Sequence, residues 1–196
     1  MNRFVLASGS AIRRAVLDGV KVSFEVDKSD VDETILKDQN KALSPRDMAL
    51  LLARAKAENV SKRRSGDFVL GADQTMELDG QLLDKLPSAD LARDRLEKMR
   101  GHEHYLHSGL SIYRNGEEVW SHQQTSTLHV RNFSDAFLDE YLDQAGFALT
   151  ASVGAYAYED LGAQLFERVD GDYYAILGLP LLPLLNALRE FEVIKS

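Results

Sequence analysis

The sequence predicts an α/β protein with a central mixed β-sheet flanked by helices. Three observations support this fold class. Short apolar runs that end in small residues alternate with amphipathic helical patterns. The pairs Asp79-Gly80 and Asn115-Gly116 each separate two strand-like segments, as in tight hairpins. A long helical segment begins with Ser44 and Pro45, which are favoured at the N-cap and first position of a helix.

The elements of the first half follow from local patterns. "RFVLAS" is typical of a strand that breaks at Ser8-Gly9-Ser10, and "AIRRAVLDGV" of a helix that ends near Gly19. "KVSFEVDKSDVDET" predicts a strand followed by an acidic loop. "LSPRDMALLLARAKAENVSKRR" then predicts the long helix capped by Ser44, with basic residues at its C-terminal end.

The second half contains more sheet. "GDFVLGADQTMELDGQLL" predicts a buried strand and a hairpin, and a helix is expected from about Ala89 to Met99. "HSGLSIYRNGEEVWSHQQTSTLHVRNF" predicts the second hairpin. Ser134 is expected to cap a helix through about Gln144. "AQLFERVDGDYYAILG" is expected to return to strand, and a helix after Pro180 closes the chain.

Composition limits the function classes. The 196 residues are 44% hydrophobic and 28% charged, which predicts one globular domain over residues 1–196, or two small lobes sharing a core. The net charge of −8 argues against binding a nucleic-acid polymer, which needs a positive face. A local basic pocket for a small anion remains compatible with this charge.

Cysteine usage and hydropathy predict the compartment. The absence of cysteine excludes disulfides and cysteine nucleophiles, and it fits a cytoplasmic protein. The opening "MNRFVLASGS" is a poor secretory signal. The most apolar stretch, "AILGLPLLPLLNAL", has about 14 residues and two prolines, short of the roughly 20 needed to span a bilayer. No membrane association is expected.

The opening segment "LASGSAIRR" is a candidate anion site. A strand, a turn of small residues and a helix N-terminus direct free backbone N–H groups and the positive end of the helix dipole at one point. Arg13 and Arg14 would strengthen such a site. Capping of the helix by Ser8 and Ser10, with a solvated arginine, is an equally good interpretation of the local sequence.

Acidic residues suggest a cation site. Asp73 follows an apolar run, at a position where a strand would present it for binding a hard cation such as Mg²⁺. The cluster Asp30, Asp32 and Glu33 has the same chemistry, although a solvated acidic loop accounts for it better when it is considered alone. Lys85 follows the first hairpin and could return to the same site.

Taken together, these segments resemble the Maf proteins, a family of nucleoside triphosphate pyrophosphatases. The resemblance covers "LASGSAIRRAVL", "FEVDKSDVDET", "LLARAKA", "VLGADQTMELDG", "LHSGLSIY" and "ASVGAYAYEDLGAQLFERVDGDYYAILGLPLLPLL". It implies an ITPase-like α/β fold with two lobes around a nucleotide-binding cleft, and a homodimer. It also implies hydrolysis of a nucleoside triphosphate to the monophosphate and pyrophosphate with a divalent metal, Mg²⁺ or alternatively Mn²⁺.

The resemblance also implies roles for individual residues. Asp73 matches the family's general base, and Glu33 and Asp73 are the implied metal ligands. The residues implied to bind substrate are Ser8, Arg13, Arg14, Lys56 and Lys85.

Substrate specificity is implied by three positions. Gln74 and Glu159 resemble the branch of the family that acts on 7-methyl-GTP, whereas Ile12 replaces a large residue expected to contact the base. Two further departures are Ala11 in place of proline and "DKLP" in place of Gly-Lys-Pro. Two alternatives therefore accompany the expected activity: a catalytically impaired nucleotide-binding protein, and a pyrophosphatase for other non-standard nucleotides.

Three histidines form a weaker candidate. His102, His104 and His107 lie in "GHEHYLHSG", which alternates like a strand and puts the first two on one face and the third on the other. A polar strand face is therefore favoured over a metal site.

Overall fold

The structure, a computed structural model, describes residues 2–195. The chain forms two compact units, and strands β3, β5 and β6 contribute residues to both. The first unit comprises Met1–Gln74, His107–Gln124 and Asp172–Ser196, and the second comprises Thr75–Leu106 and Thr125–Gly171.

The strands and helices follow one another along the chain as predicted for an α/β protein. The strands are β1 (Phe4–Leu6), β2 (Glu25–Val26), β3 (Phe68–Leu78), β4 (Gln81–Leu83), β5 (Glu103–Arg114), β6 (Glu117–Val130) and β7 (Phe166–Asp170). The α-helices are α1 (Ala11–Gly19), α2 (Glu33–Gln39), α3 (Pro45–Ser61), α4 (Ala92–Met99), α5 (Asp135–Ala145), α6 (Ala148–Ala151), α7 (Tyr173–Ile176) and α8 (Leu181–Glu190). Two 3₁₀ helices cover Ala89–Leu91 and Leu161–Leu165.

The first unit has helices on both faces of its sheet, in which the strand order is β2-β1-β3-β5-β6. Strand β1 pairs in parallel with both β2 and β3. On one face, alternate side chains such as Leu6 and Leu70 join a core with Leu17 of α1 and Leu184 of α8. The opposite face packs against α3, where Val60 lies in a buried cluster with side chains of β1 and β3.

The second unit contains two further antiparallel pairs of the sheet. Strand β4 pairs antiparallel with β3, and β7 pairs antiparallel with β6. The hydroxyl of Tyr141 on α5 donates to the carbonyl of Ala155 at 2.9 Å, and both residues are buried. Since parallel and antiparallel pairs both occur, the predicted mixed sheet is confirmed.

Both predicted hairpin turns are confirmed by their backbone angles. Asp79 and Gly80 have φ values of 51° and 75°, and Asn115 and Gly116 have 54° and 83°. Positive φ at both central residues defines the type I′ turn, which matches the twist of the flanking strands.

Two segments differ from the sequence prediction. Glu33 begins helix α2 rather than lying in an acidic loop, and Asp32 caps this helix by accepting from the amide of Ile35 at 3.1 Å. The strand expected through "DYYAILG" ends at Asp170, and the next residues form the short helix α7. Its first turn is capped by Asp172, which accepts from the amide of Ala175 at 2.9 Å.

Candidate active site

Two glycines bring α3 unusually close to the sheet. A Cβ atom on Gly71 of β3 would lie 1.9 Å from the carbonyl oxygen of Ala53, and one on Gly109 of β5 would lie 2.6 Å from that of Ala49. A glycine inside a strand often marks such a close backbone approach, so the sequence did contain an indication of it. Gly71 is therefore a packing position within β3.

This close approach joins Lys56 to Asp73. Side chains of a strand alternate between its faces, so Asp73 points to the same side as Gly71, toward α3. The ammonium Nζ of Lys56 lies 2.5 Å from Asp73 Oδ1 and 2.7 Å from Glu33 Oε1. Two carboxylates from distant parts of the chain thus meet at one lysine.

The three charges of this cluster differ in exposure. The side chains of Lys56 and Asp73 are 10% and 11% exposed, whereas that of Glu33 is 44% exposed. Burial alone would raise the pKa of Glu33, but the charge and hydrogen bond of Lys56, with the charges of Lys37 and Arg13, outweigh it, and the net shift is downward. Glu33 is therefore an ionised carboxylate at the solvent side of the cluster.

The turn before α1 has the geometry of an anion site. Ser8 Oγ accepts from the amide of Ser10 at 3.2 Å, and Ser10 caps α1 by accepting from the amide of Arg13 at 3.4 Å. The other N–H groups of a first helical turn have no partner within the helix. The capping role and the anion site, which the sequence left as alternatives, are thus compatible in one structure.

Arg13 is buried and holds three segments together. Its Nε donates to the carbonyl of Gly178 at 2.9 Å, and its Nη1 donates to the carbonyl of Ala72 at 2.9 Å and to Ser8 Oγ at 3.2 Å. Desolvation lowers the pKa of Arg13, while the charges of Asp73 and Glu33 oppose that shift. The guanidinium therefore adds positive charge beneath the turn, while these three hydrogen bonds are made to oxygens of the protein itself.

Arg14 and Ile12 differ from Arg13. Arg14 is exposed, and its side chain has no hydrogen bond or ion pair with any described residue. Ile12 is half-buried in the same first turn of α1. The two consecutive arginines of the motif are thus in opposite situations, one engaged by backbone carbonyls and one available to a ligand.

Gln74 points away from Asp73, as alternation along β3 requires. Its Nε2 donates to the carbonyl of Ala175 at 2.8 Å, to that of Ile176 at 3.1 Å and to Ser108 Oγ at 3.2 Å. Ser108 Oγ also donates to the carbonyl of Ala175, at 2.9 Å. Gln74 and Ser108 therefore hold helix α7 in the first unit, and no local pattern in the sequence indicates this role for Ser108.

The remaining predicted site residues belong to the second unit. Lys85 is exposed in the segment after β4, and Glu159 is exposed in the turn before the second 3₁₀ helix. Arg95 donates to the carbonyl of Asp84, at 3.3 and 3.2 Å from its two terminal nitrogens. This contact holds the backbone immediately before Lys85.

The three histidines differ in exposure. His104 and His107 are both buried in β5, and His102 is exposed just before that strand. Among residues 2–195, no group of three or more His, Cys, Asp or Glu is arranged to hold a metal ion. Within the same residues, no helix combines the length and apolar character needed to cross a membrane.

Comparisons with known proteins agree with the motifs. A family model described as Maf-like protein matches residues 3–191. The nucleoside triphosphate pyrophosphatase of Maricaulis maris (strain MCS10) is 67% identical over 196 residues, 100% of both chains. The 7-methyl-GTP pyrophosphatase of Rhizobium meliloti (strain 1021) is 43% identical over 194 residues, 98% of each chain.

Proposed function

The chain belongs to the Maf-like protein family, and on that premise we propose that it hydrolyses a nucleoside triphosphate to the monophosphate and pyrophosphate. The observation that carries the proposal is the meeting of Glu33 and Asp73 at Lys56. Arg13 connects this cluster to the turn before α1, because it bonds both Ser8 and the carbonyl of Ala72, the residue before Asp73. A carboxylate pair and a phosphate-binding turn are thus joined through one buried guanidinium.

The carboxylates also fit a divalent cation. Asp73 Oδ2 and Glu33 Oε2 make no hydrogen bond to any described residue, so two hard oxygen donors are available beside Lys56. Mg²⁺ is commonly held by one or two carboxylates together with substrate phosphates, a mode that does not need a full protein cage. Glu33 and Asp73 would hold Mg²⁺ or Mn²⁺, which when bound neutralises charge on the triphosphate.

Asp73 is proposed as the general base. A water oxygen forms a bond to the α-phosphorus, the bond from that phosphorus to the bridging oxygen breaks, and pyrophosphate leaves with the electron pair. Asp73 accepts the proton of the attacking water at a carboxylate lone pair that neither Lys56 nor the cation would use. Lys56 holds the carboxylate in one orientation, which is the positioning that such a reaction requires.

The cations are proposed to grip the triphosphate in different ways. Arg14 is exposed and suited to direct contact with phosphate oxygens, whereas Arg13 stabilises the anion through its buried charge. Ser8, Lys56 and Lys85 retain the substrate-binding roles implied by the family resemblance.

We propose 7-methyl-GTP as the substrate to test first. The support is the matching pair Gln74 and Glu159 and the 7-methyl-GTP pyrophosphatase of Rhizobium meliloti among the relatives. Because the amide nitrogen of Gln74 is bonded to α7, its proposed effect on base selection is indirect. A carboxylate at Glu159 would favour a base that carries positive charge, as methylation at N7 provides.

The test is a substrate panel. Wild-type protein is incubated with Mg²⁺ and GTP, 7-methyl-GTP, dTTP, UTP and other non-standard nucleotides, and both pyrophosphate and monophosphate are measured. Equimolar release of the two products is expected, fastest with 7-methyl-GTP. Fastest turnover of another nucleotide would revise the substrate alone, whereas no release with any nucleotide would favour a nucleotide-binding protein without activity.

Two further properties are proposed from the sequence. The family resemblance supports a homodimer, and the absence of cysteine supports a cytoplasmic location. Sedimentation analysis at micromolar concentration tests the first proposal, with a monomer as the contradicting result. Fractionation of cells that express the native chain tests the second.

A further inference from the structure

Lys28 lies across the turn that precedes α1. A Cβ atom on Gly9 would lie 3.0 Å from Lys28 Cε, 3.3 Å from Cδ and 3.5 Å from Nζ. The glycine therefore leaves the space that the lysine side chain occupies. This brings the Lys28 ammonium to the turn formed by Ser8, Gly9 and Ser10, the turn proposed above to hold phosphate.

The backbone around Lys28 is held in place from two sides. Arg63 Nη2 donates to the carbonyl of Lys28 at 2.6 Å, and the amide of Asp27 donates to the carbonyl of Leu6 at 3.2 Å. The first contact ties the segment to the end of α3, and the second ties it to the end of β1. Lys28 is thus placed at the turn by its backbone, although its side chain is exposed.

The acidic neighbours of Lys28 are already paired with other cations. Asp27 accepts from Arg63 Nη2 at 2.8 Å and from Arg64 Nε at 2.6 Å, and Asp30 pairs with Arg63 Nη1 at 3.3 Å. The hydrogen bonds from Arg63 and Arg64 lower the pKa of Asp27, so it is an ionised partner for them. These two carboxylates are therefore paired with the arginines and not with Lys28.

The Lys28 ammonium itself has no partner. Across residues 2–195 it forms no hydrogen bond and no ion pair, unlike Lys56 and Arg13, whose donors are bonded within the protein. The ammonium at this turn is a local positive charge in a chain of net charge −8. Arg14, at the start of α1, is likewise unpaired among the described residues.

We propose that Lys28 is a phosphate-binding residue, which contacts a non-bridging oxygen of the triphosphate at the Ser8-Gly9-Ser10 turn. The proposal rests on the proposed function, because it takes this turn as the phosphate site. Lysine is suited to the role as a flexible point charge that can follow a phosphate group. The contact favours a triphosphate over a monophosphate, since the longer anion offers more negative charge to the same ammonium.

The first test compares two lysine variants. Lys28→Ala is expected to raise KM for the nucleotide about two- to fivefold with little change in kcat, because an exposed charge contact contributes modestly to binding. Lys62→Ala is the matched control, since it removes an exposed lysine of the same unit whose partner is Glu58 at 2.8 Å. An equal change in KM for both variants would mean a general charge effect and would overturn the proposal.

The second test uses the contact between Gly9 and Lys28. The φ of Gly9 lies outside the region that only glycine favours, so alanine is allowed there, and its Cβ would require the lysine side chain to shift by a few tenths of an ångström. Gly9→Ala should therefore raise KM in the wild-type background and change it much less in the Lys28→Ala background. Equal effects in both backgrounds would show that Gly9→Ala acts on the turn directly, against the proposal.

A binding measurement separates this proposal from the proposed function. Inorganic tripolyphosphate is titrated into wild-type protein, Lys28→Ala and Lys62→Ala, and affinity is measured by calorimetry. Weaker binding only in Lys28→Ala supports the phosphate contact even if no nucleotide is hydrolysed, in which case the pyrophosphatase proposal alone fails. Unchanged binding in Lys28→Ala, together with hydrolysis by the wild type, overturns the role of Lys28 and leaves the enzyme proposal standing.

Discussion

Asp73 and Gln74 are consecutive residues of β3 whose side chains serve opposite faces of the sheet. Asp73 bonds Lys56 on α3 at 2.5 Å, and Gln74 bonds the carbonyl of Ala175 on α7 at 2.8 Å. One short motif therefore supplies both a charged group for chemistry and an amide that holds the structure around it. The two residues are expected to respond differently to substitution.

The first prediction concerns Asp73. Asp73→Asn should lower pyrophosphate release by at least about a hundredfold, because the amide cannot accept the proton of water. Nucleotide binding should persist, since the change is nearly isosteric. Steady-state assays and nucleotide titration measure the two properties. The control is Asp67→Asn, which removes another buried aspartate, paired with Arg3 at 2.9 Å, and should leave turnover per folded molecule intact.

A second prediction separates the two arginines. Arg13→Ala leaves the carbonyls of Ala72 and Gly178 without their donor, so we expect it to lower the free energy of unfolding by about 2 to 5 kcal/mol. Arg14→Ala should leave stability unchanged and weaken binding of triphosphate far more than of nucleoside. Denaturant unfolding and ligand titration of both variants provide the comparison. If Arg13→Ala were as stable as wild type, Arg13 would not hold these segments together.

Gln74 gives a third prediction. In Gln74→Glu a carboxylate would face the carbonyls of Ala175 and Ile176, and the loss of donors should lower the free energy of unfolding by about 2 to 3 kcal/mol. Gln123→Glu is the matched control, because Gln123 also donates to a carbonyl, that of Arg46, but at an exposed site. Urea unfolding of the two variants should show a clear loss only for Gln74→Glu.

The fourth prediction tests base selection. Glu159→Gln should lower kcat/KM for 7-methyl-GTP by about tenfold or more, and should affect GTP less, because only the methylated base carries positive charge for the carboxylate to attract. Kinetics with both substrates in both proteins measure the difference. If the variant lowers kcat/KM equally for both nucleotides, Glu159 does not distinguish the methylated base from guanine.

The last prediction concerns pH. Burial, followed by the charge of His129, lowers the pKa of His104 to about 3. Its Nε2 lies 2.8 Å from the hydroxyl of Tyr156, and its Nδ1 has no hydrogen-bond partner among the described residues. The unfolded chain binds a proton at this histidine below about pH 6.5, whereas the folded chain does not until about pH 3. The free energy of unfolding should therefore fall as pH decreases through that window.

His104→Gln tests the pH prediction, since glutamine keeps a polar group near Tyr156 but does not titrate. Its free energy of unfolding, measured by urea titration at several pH values between 3 and 7, should depend less on pH than that of wild type. His102→Gln is the control, because His102 is exposed. Its replacement should leave the dependence of the free energy of unfolding on pH as in wild type. Parallel pH curves for His104→Gln and wild type would contradict the assignment.

The sequence predicted the helices and turns that are determined by a few adjacent residues. The capped helix α3 and the two type I′ turns follow from a few adjacent residues, such as Ser44 and Asn115-Gly116. Helix α7 could not be predicted in this way, because Gln74 and Ser108, which hold it, are about 100 and 67 residues away along the chain. Contacts between residues far apart in the sequence also determine the geometry of the candidate active site. Arg13 was predicted as a site residue, but its hydrogen bond to the carbonyl of Gly178, 165 residues away, could not be predicted from local sequence.

The glycine contacts between α3 and the sheet have a consequence for engineering. At Gly71 and Gly109 backbone meets backbone, so the distance between α3 and β3, and with it that between Lys56 and Asp73, is set there without a large side chain in between. Substitutions around Leu17 are a different case, because Leu17 shares α1 with Arg13, which bonds the carbonyl of the residue before Asp73. The two glycines themselves are the positions that a library designed for thermostability should leave untouched.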